Sequence, residues 1–577
     1  MTKDDVAAAL EEIGTLLQLQ GENDFRVKAY TGGARLVSSY EGDFRALVDG
    51  GKLTSIRGIG ETLAEKIATL MKTGALPMLD ELRAAVPVGL REMLRIPGLG
   101  PKKVKALHDE LSIDSLDGLR QACEEGAVAG LKGFGAKTQA KILEGLAFVA
   151  TAGQRVRIDE AEAIGRLVLD RLKQLPGISR AELCGSLRRR RETAKDLDLL
   201  AVSDNPADTM ARFVAFPEVQ QVAGHGETKS SVLLKFADGT SSITMNADLR
   251  LVTSEQFPFA LVYFTGSKDH NIRLRQLAIE RGLSLNEYAL AGEAKHMMCK
   301  DEAAVYAALD LEWISPELRE DTGEVEAAAE KKLPKLLEYG DLRGVFHNHT
   351  TASDGTATLE VMARKCIELG WDYFGIADHS QSLNVANGLK PDRVRQQWAE
   401  IDELNSKLGP FRILKGTESD ILVDGSLDYD DELLAGFDYV VASVHTHFHL
   451  NEAEQTERVC KALAHPATTM LGHATGRLLL RRDGYKVDLD RVIAAAAEHG
   501  KMIEINAQPM RLDLDWKWVK RAKAAGVKLV VNPDAHSPGE LELTPFGVDV
   551  ARRGWLTKAD VFNTLGLKDV LKVLKRK

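Results

Sequence analysis

Asp196 and Asp198 sit one residue apart at the head of an apolar run, Asp-Leu-Asp-Leu-Leu-Ala-Val. Alternation along a strand puts both carboxylates on one face, where they repel unless a cation lies between them. Hard oxygen donors of this kind suit Mg²⁺ or Mn²⁺. Just upstream, Gly185, Ser186 and the run Arg188 to Arg191 offer backbone N–H groups, a hydroxyl and guanidinium groups to an oxyanion. A bare Asp-x-Asp is more often a solvated edge strand. Here the missing pieces follow downstream: residues 245–252 (MNADLRLV) carry Asp248 and Arg250 on one face, and Tyr263-Phe264-Thr-Gly266-Ser precedes Asn271, Arg273 and Arg275 at helical spacing. Carboxylates with phosphate ligands beside them point to nucleotide chemistry.

A second set of reactive residues fills the C-terminal part, which holds ten of the fourteen histidines, from His347 onward. His347 and His349 flank one residue at a strand end, and Asp354 follows in a turn. Further short apolar runs lead to Asp378-His379, Glu418, His445, His473, and Asp534 with His536, while residues 502–505 carry Glu504 next to Asn506. A lone histidine is usually structural; imidazoles and carboxylates at equivalent ends of successive strands favour a multinuclear metal centre. A closed structural zinc site needs four ligands, so this larger set predicts open positions for activating water against a phosphoester. His447 and His449, extra imidazoles beside His445, read as solvent-facing, and Arg477 as a candidate phosphate contact.

The elements that must position these groups change character along the chain. Residues 1–150 read as short helices broken by glycine, with a hairpin repeated three times: Gly58 and Gly60, Gly98 and Gly100, Gly133 and Gly135. Each glycine pair frees backbone N–H groups at a helix N-terminus, where a phosphate is held without reading sequence. Lysines (Lys66, Lys102, Lys103, Lys137) follow each hairpin. From 151 to 315 helices alternate with strands, and 316–340, charged and Ala-rich between Pro316 and Pro334, reads as a helical linker. Seven strands alternating with helices, ligands at their C-terminal ends, predict a distorted (β/α)7 barrel beyond it.

Composition bounds the partners only loosely. The 577 residues hold several domains, and 75 basic against 85 acidic side chains give no global invitation to nucleic acid. DNA binding must rest on local grips. Five scattered cysteines without CxxC spacing, no leader and no membrane-length apolar run make a cytoplasmic protein the expectation.

The ordered Gly-Ser, Asp-x-Asp, distant Asp and Tyr-Phe-Thr-Gly-Ser elements resemble family X DNA polymerases of the polymerase beta type, and the glycine hairpins resemble helix-hairpin-helix motifs. The C-terminal pattern resembles the polymerase and histidinol phosphatase (PHP) domain. Together they match bacterial family X polymerases that carry a PHP domain. The resemblance implies a multidomain α/β chain: a lyase-like helix-hairpin-helix domain at 1–75, a helical DNA-binding domain at 76–150, a nucleotidyltransferase-type α+β palm at 151–250, a thumb at 251–315, the linker at 316–340 and the PHP domain at 341–577. It implies that Asp196, Asp198 and Asp248 hold Mg²⁺ or Mn²⁺. Gly185, Ser186 and Arg189 would meet the triphosphate of an incoming deoxynucleotide, Tyr263, Phe264 and Gly266 its sugar, Asn271 and Arg275 the minor-groove side of the new pair, and Arg250 the primer terminus. Lys268 stands where polymerase beta has an acidic residue, and would tighten the nucleotide before metal arrives. Lys66 matches the lyase nucleophile and Tyr30 also matches, but Thr62 and Arg26 replace lysines, which favours a DNA-gripping role for Lys66.

In the PHP family nine ligands hold three divalent metals, and the resemblance implies that here they would be His347, His349, Asp354, His379, Glu418, His445, His473, Asp534 and His536. With Zn²⁺ and/or Mn²⁺ bound, this implies a 3′–5′ exonuclease or another DNA 3′-end hydrolase acting on the gapped or primed DNA of a monomeric repair polymerase. A DNA-end scaffold with structural metals, or a PHP site for a small phosphate ester, are the competing readings.

Overall fold

In the computed structural model the run Asp196–Ser203 forms a strand because its apolar residues alternate into the interior: Leu197 and Leu199 are buried while Asp196 and Asp198 share the other, half-buried face. The structure describes residues 3–38, 40, 44–74, 76–94, 96, 99–152, 155–237, 242–292 and 295–575. The chain divides into two compact units, Met1–Gln154 with Glu218–Gly224 and Val232–Asn246, and Arg155–Pro217 with His225–Ser231 and Ala247–Lys577.

The first unit is helical in its N-terminal part and includes strand residues from 218–224 and 232–246. Helices Lys3–Gln20 and Asp24–Ser38 pack through Leu10, Ile13, Val27 and Ala34. The glycine hairpins lead into helices Glu61–Thr73, Pro101–Leu111 and Ala136–Ala152, with Gly60 and Gly100 as extended N-caps. Gly58 takes a φ of +107°, a conformation side-chain-bearing residues avoid. Gly98 lies outside the described residues.

In the second unit Ile178–Leu183 pairs antiparallel with Asp196–Ser203, and the sheet order continues to the strand residues 247–252, where Asp248 and Arg250 share a face. The apolar helix Phe257–Thr265 packs on Leu200 and Val202 of this sheet. Ser267 then caps the helix Lys268–Glu280 by accepting the His270 N–H. That helix is anchored by a buried chain: His270 Nδ1 lies 2.7 Å from Glu324 Oε1 and Nε2 2.9 Å from the Tyr306 hydroxyl.

Residues 316–340 do more than connect. They form a tight turn at Pro316–Leu318 and a helix at Glu324–Ala329, and Leu318, Val325 and Ala328 bury in one cluster with Leu274 and Tyr306. Beyond them, parallel strands Gly344–Val345, Tyr373–Gly375 and Arg412–Leu414 form one sheet, and Gly416–Asp420, Tyr439–Ser443, Met470–Leu471, Met502–Asn506 and Leu529–Asn532 another. Parallel bridges from His379 to Glu418 and from Asn348 to Ala535 join them on both sides, an arrangement consistent with a (β/α)7 barrel. Glu418 lies inside its strand rather than beyond its end, because the chain resumes strand pairing immediately after Lys415.

Candidate functional site

The second unit contains a pocket of about 370 Å³ lined by Gly185, Ser186, Arg189, Asp196, Asp198, Tyr263, Phe264, Gly266, Lys268, Asn271 and Arg275. The turn that presents Gly185 and Ser186 approaches the acidic strand very closely. A Cβ on Gly185 would fall 1.9 Å from Asp198 Oδ2, and its φ is +62°. Burial, then the charges of Asp196 and Asp248, push the Asp198 carboxyl up to about 7. Lys229, which no sequence pattern marked, sits 2.6 Å from Asp248 Oδ2. Clustered carboxylates, one resisting ionisation and another already holding a lysine, fit a divalent cation. Arg250 stacks over the Phe264 ring at 4.7 Å, and Asn271 donates to the Tyr263 carbonyl at 2.7 Å, fixing two walls of the pocket.

The arginine run behaves differently from a phosphate grip. Arg188 forms a two-pronged pair with Glu302 at 2.8 and 2.7 Å, and Arg190 pairs with Asp549 at 2.7 Å and Glu162 at 2.9 Å. Only Arg189 of the run lines the pocket, and its Nε donates to Glu320 at 3.1 Å. Arg191 Nη1 lies 3.8 Å from Glu320 Oε2, so all four guanidinium groups stand against carboxylates, and of the run only Arg189 is left facing the pocket, a correction to the sequence reading of a four-arginine phosphate cradle. In the first unit the Lys66 ammonium is half-buried, in contact with the Tyr30 hydroxyl and 3.1 Å from Met78 Sδ.

The C-terminal histidines and carboxylates converge. Four overlapping groups each bring ligand atoms within 4.8 Å of one another: His349, Asp354, His379 and His536; His347, His349 and Asp534; His347, Glu418 and His473; and His379, Glu418 and His445. Glu418 joins two of these groups. Its oxygens lie 2.9 Å from His379 Nδ1 and His473 Nε2 and 3.2 Å from His445 Nε2. Yet both Glu418 oxygens, His347 Nε2, His349 Nδ1 and His379 Nδ1 are buried without a hydrogen bond. Lone pairs that approach but do not donate to one another leave a donor set shaped for cations.

The electrostatics agree. Burial opposes protonation of His379, but Glu418 and Asp354 outweigh it and raise its pKa to about 10; similar carboxylate neighbours raise His445 and His536 to about 9. His349, buried beside His379 and His536, is pushed down to about 3. Excess negative charge at the cluster draws in positive charge, whether protons or metal ions. Behind the ligands, Glu504 faces His347 Nδ1 at 2.7 Å and accepts the His473 backbone N–H at 2.7 Å, while Asp420 faces His445 Nδ1. Both partners went unassigned at the level of sequence. Their signal is a carboxylate inside a fully buried strand.

Arg477 is not free for a phosphate: its guanidinium donates to the carbonyls of Arg511 and Leu512, with Asp515 3.4 Å away. His447 and His449 are exposed.

Comparison with known proteins agrees with this layout. Family models for a helix-hairpin-helix domain match residues 1–76, for a SAM-like helix-hairpin-helix tandem 90–147, for a DNA polymerase beta thumb 260–320, and for a PHP domain 346–508. Helical hairpins, a polymerase beta thumb and a PHP domain in one chain define a family X DNA polymerase with a C-terminal PHP domain. A Bacillus subtilis protein named DNA polymerase/3′-5′ exonuclease PolX is 41% identical over 580 residues, covering 100% of both chains. The present chain belongs to that PolX family. The C-terminal part is also 28% identical over 244 residues to a protein of Thermoanaerobacter sp. (strain X514) named a probable phosphatase, covering 40% of this chain and 95% of that one. A probable phosphatase of Acetivibrio thermocellus is 28% identical over 199 residues, 33% of this chain and 78% of its own.

Proposed function

We propose that this chain fills short gaps in DNA during repair and trims or processes DNA 3′ ends at its PHP site, working as a cytoplasmic monomer. The observation that carries the polymerase reading is the single pocket in which Asp196 and Asp198 share walls with Gly185, Ser186 and Arg189. Asp196, Asp198 and Asp248 hold Mg²⁺ or Mn²⁺, and His347, His349, Asp354, His379, Glu418, His445, His473, Asp534 and His536 hold Zn²⁺ and/or Mn²⁺. When bound, these ions supply charge neutralisation and activation of the primer hydroxyl at one site and of water at the other.

The protein's own groups do the placing. Gly185 and Ser186 bind phosphate oxygens with Arg189, Lys268 adds a cation at the pocket mouth, and Tyr263, Phe264 and Gly266 shape the sugar position. Asn271 and Arg275 meet the nascent pair, and Arg250, held over Phe264, meets the primer end. In the PHP site Glu504 and Asp420 fix the rings of His347 and His445. The glycine hairpins at Gly58, Gly60, Gly98, Gly100, Gly133 and Gly135 grip the DNA backbone, with Lys66 read as part of that grip. The working boundaries are 1–75, 76–150, 151–250, 251–315, 316–340 and 341–577.

The test follows a 5′-labelled primer in a one-nucleotide gap with Mn²⁺, with and without nucleotides. Asp248→Ala is expected to lose extension and keep shortening; His379→Ala is expected to do the reverse. Loss of both activities in either variant would sink the assignment of two independent sites. The phosphatase names of the PHP relatives favour a second substrate, a phosphomonoester, so the His379-dependent rate on a small phosphomonoester belongs beside the DNA rate.

A further inference from the structure

The helix Thr544–Arg553 lies in the metal-bearing domain, beginning after a turn at Pro538–Leu543 that follows His536. It packs on the strands Met502–Asn506 and Leu529–Asn532. Its far end reaches Arg189, a residue that lines the pocket. Arg553 Nη1 donates to the Arg189 carbonyl oxygen at 2.6 Å, and Arg553 Nη2 stands 3.3 Å from Glu320 Oε1, the same oxygen that accepts from Arg189 Nε at 3.1 Å. The Arg553 side chain is fully buried, its guanidinium over the Trp516 ring at 4.9 Å. One turn earlier, Asp549 holds the next residue, Arg190, at 2.7 Å and accepts the Tyr339 hydroxyl at 2.5 Å.

A buried guanidinium is costly, and an apolar side chain would fill the same space at less expense. What an arginine adds is two-point geometry: one donor on a backbone oxygen and another on the carboxylate that steers the neighbouring guanidinium. We propose that Arg553, a residue of the metal-bearing domain, is a positioning residue of the polymerase, holding Arg189 against the nucleotide pocket through its carbonyl and through Glu320. The proposal rests on the reading of that pocket as the triphosphate site. It makes the PHP domain a structural part of nucleotide binding, whatever its own hydrolysis does.

Gap filling by the full-length chain, measured as KM for the incoming nucleotide and kcat, separates the possibilities for Arg189→Ala, Arg553→Ala, Arg553→Lys and Arg552→Ala. Arg552 belongs to the same helix but grips Glu317 and the Leu337 carbonyl, both at 2.8 Å, so it reports loss of the docking surface alone. Arg189→Ala and Arg553→Ala are expected to raise KM about tenfold with kcat within about twofold of wild type. Arg553→Lys should fall between, Arg552→Ala should match wild type, and primer shortening should persist in all four. A wild-type KM in Arg553→Ala beside a raised KM in Arg189→Ala overturns the bracing role, as does an Arg552→Ala as impaired as Arg553→Ala. A wild-type KM in Arg189→Ala removes the pocket reading itself, and the brace with it. If Arg553→Ala does not fold, Arg553→Lys decides, and a wild-type KM there overturns the proposal.

Discussion

Glu504 contacts no outside group, yet it touches the metal cluster at two points. One oxygen faces His347 Nδ1 at 2.7 Å and also accepts from Asn532 Nδ2 at 3.0 Å, and the other accepts the His473 N–H at 2.7 Å. An imidazole that binds a metal through one nitrogen is oriented by what its other nitrogen meets. Glu504→Gln keeps the shape, removes the charge and puts a donor among donors. It is expected to lower metal affinity about 10–100-fold, the range for such outer partners. Metal retained after dialysis against a graded chelator reads this directly, with gap filling as the unchanged control. Retention equal to wild type would show that Glu504 only fills space.

At the scale of elements, the decisive piece is the turn between Ile178–Leu183 and Asp196–Ser203. Gly185 lets the main chain come down on Asp198, and alanine there would put Cβ 1.9 Å from Oδ2 in a backbone of positive φ. Either the turn or the carboxylate must move, and a displacement near 1 Å costs about 100-fold in rate. Gly185→Ala is therefore expected to lose extension by about that factor while primer shortening continues; extension within a few-fold of wild type would refute the close approach. Elements of this kind were readable from sequence because each is local: the Asp-x-Asp strand, the Gly-Ser turn, Tyr263 to Ser267, and hairpins such as Gly58, whose φ of +107° only glycine adopts readily. Strand ends were less readable. Glu418 was placed past its strand, since Lys415 interrupts the run without ending it. Residues 316–340 look polar enough to be a spacer, and only the packing of Leu318, Val325 and Ala328 against distant Leu274 gives the segment its place.

At the scale of the molecule the sequence was silent where partners are far apart. Arg188 meets Glu302 across 114 positions and Arg190 meets Asp549 across 359. Four adjacent arginines look like a solvated or phosphate-binding run until those partners are in place. The same distance hides how much of the C-terminal domain's stability is electrostatic. Without metal, His379, His445 and His536 hold protons because Glu418, Asp420, Asp354 and Asp534 outweigh burial, raising their pKa values from 6.5 to about 10, 9 and 9. A histidine whose folded pKa is raised contributes stability that is complete below its unfolded pKa and is lost as pH rises through the folded one. Chelator-stripped protein should thus lose C-terminal stability as pH climbs from about 6.5 towards about 10. Metal binding has the opposite slope, since it displaces those protons and strengthens as they become scarce. The gap in melting temperature between metal-loaded and stripped protein should therefore widen steadily from about pH 7 to about pH 9, measured on the transition of the unit that carries the cluster. A gap independent of pH would mean that the carboxylates around Glu418 do not hold protons in the metal-free state, and that the cluster is kept open by its scaffold alone.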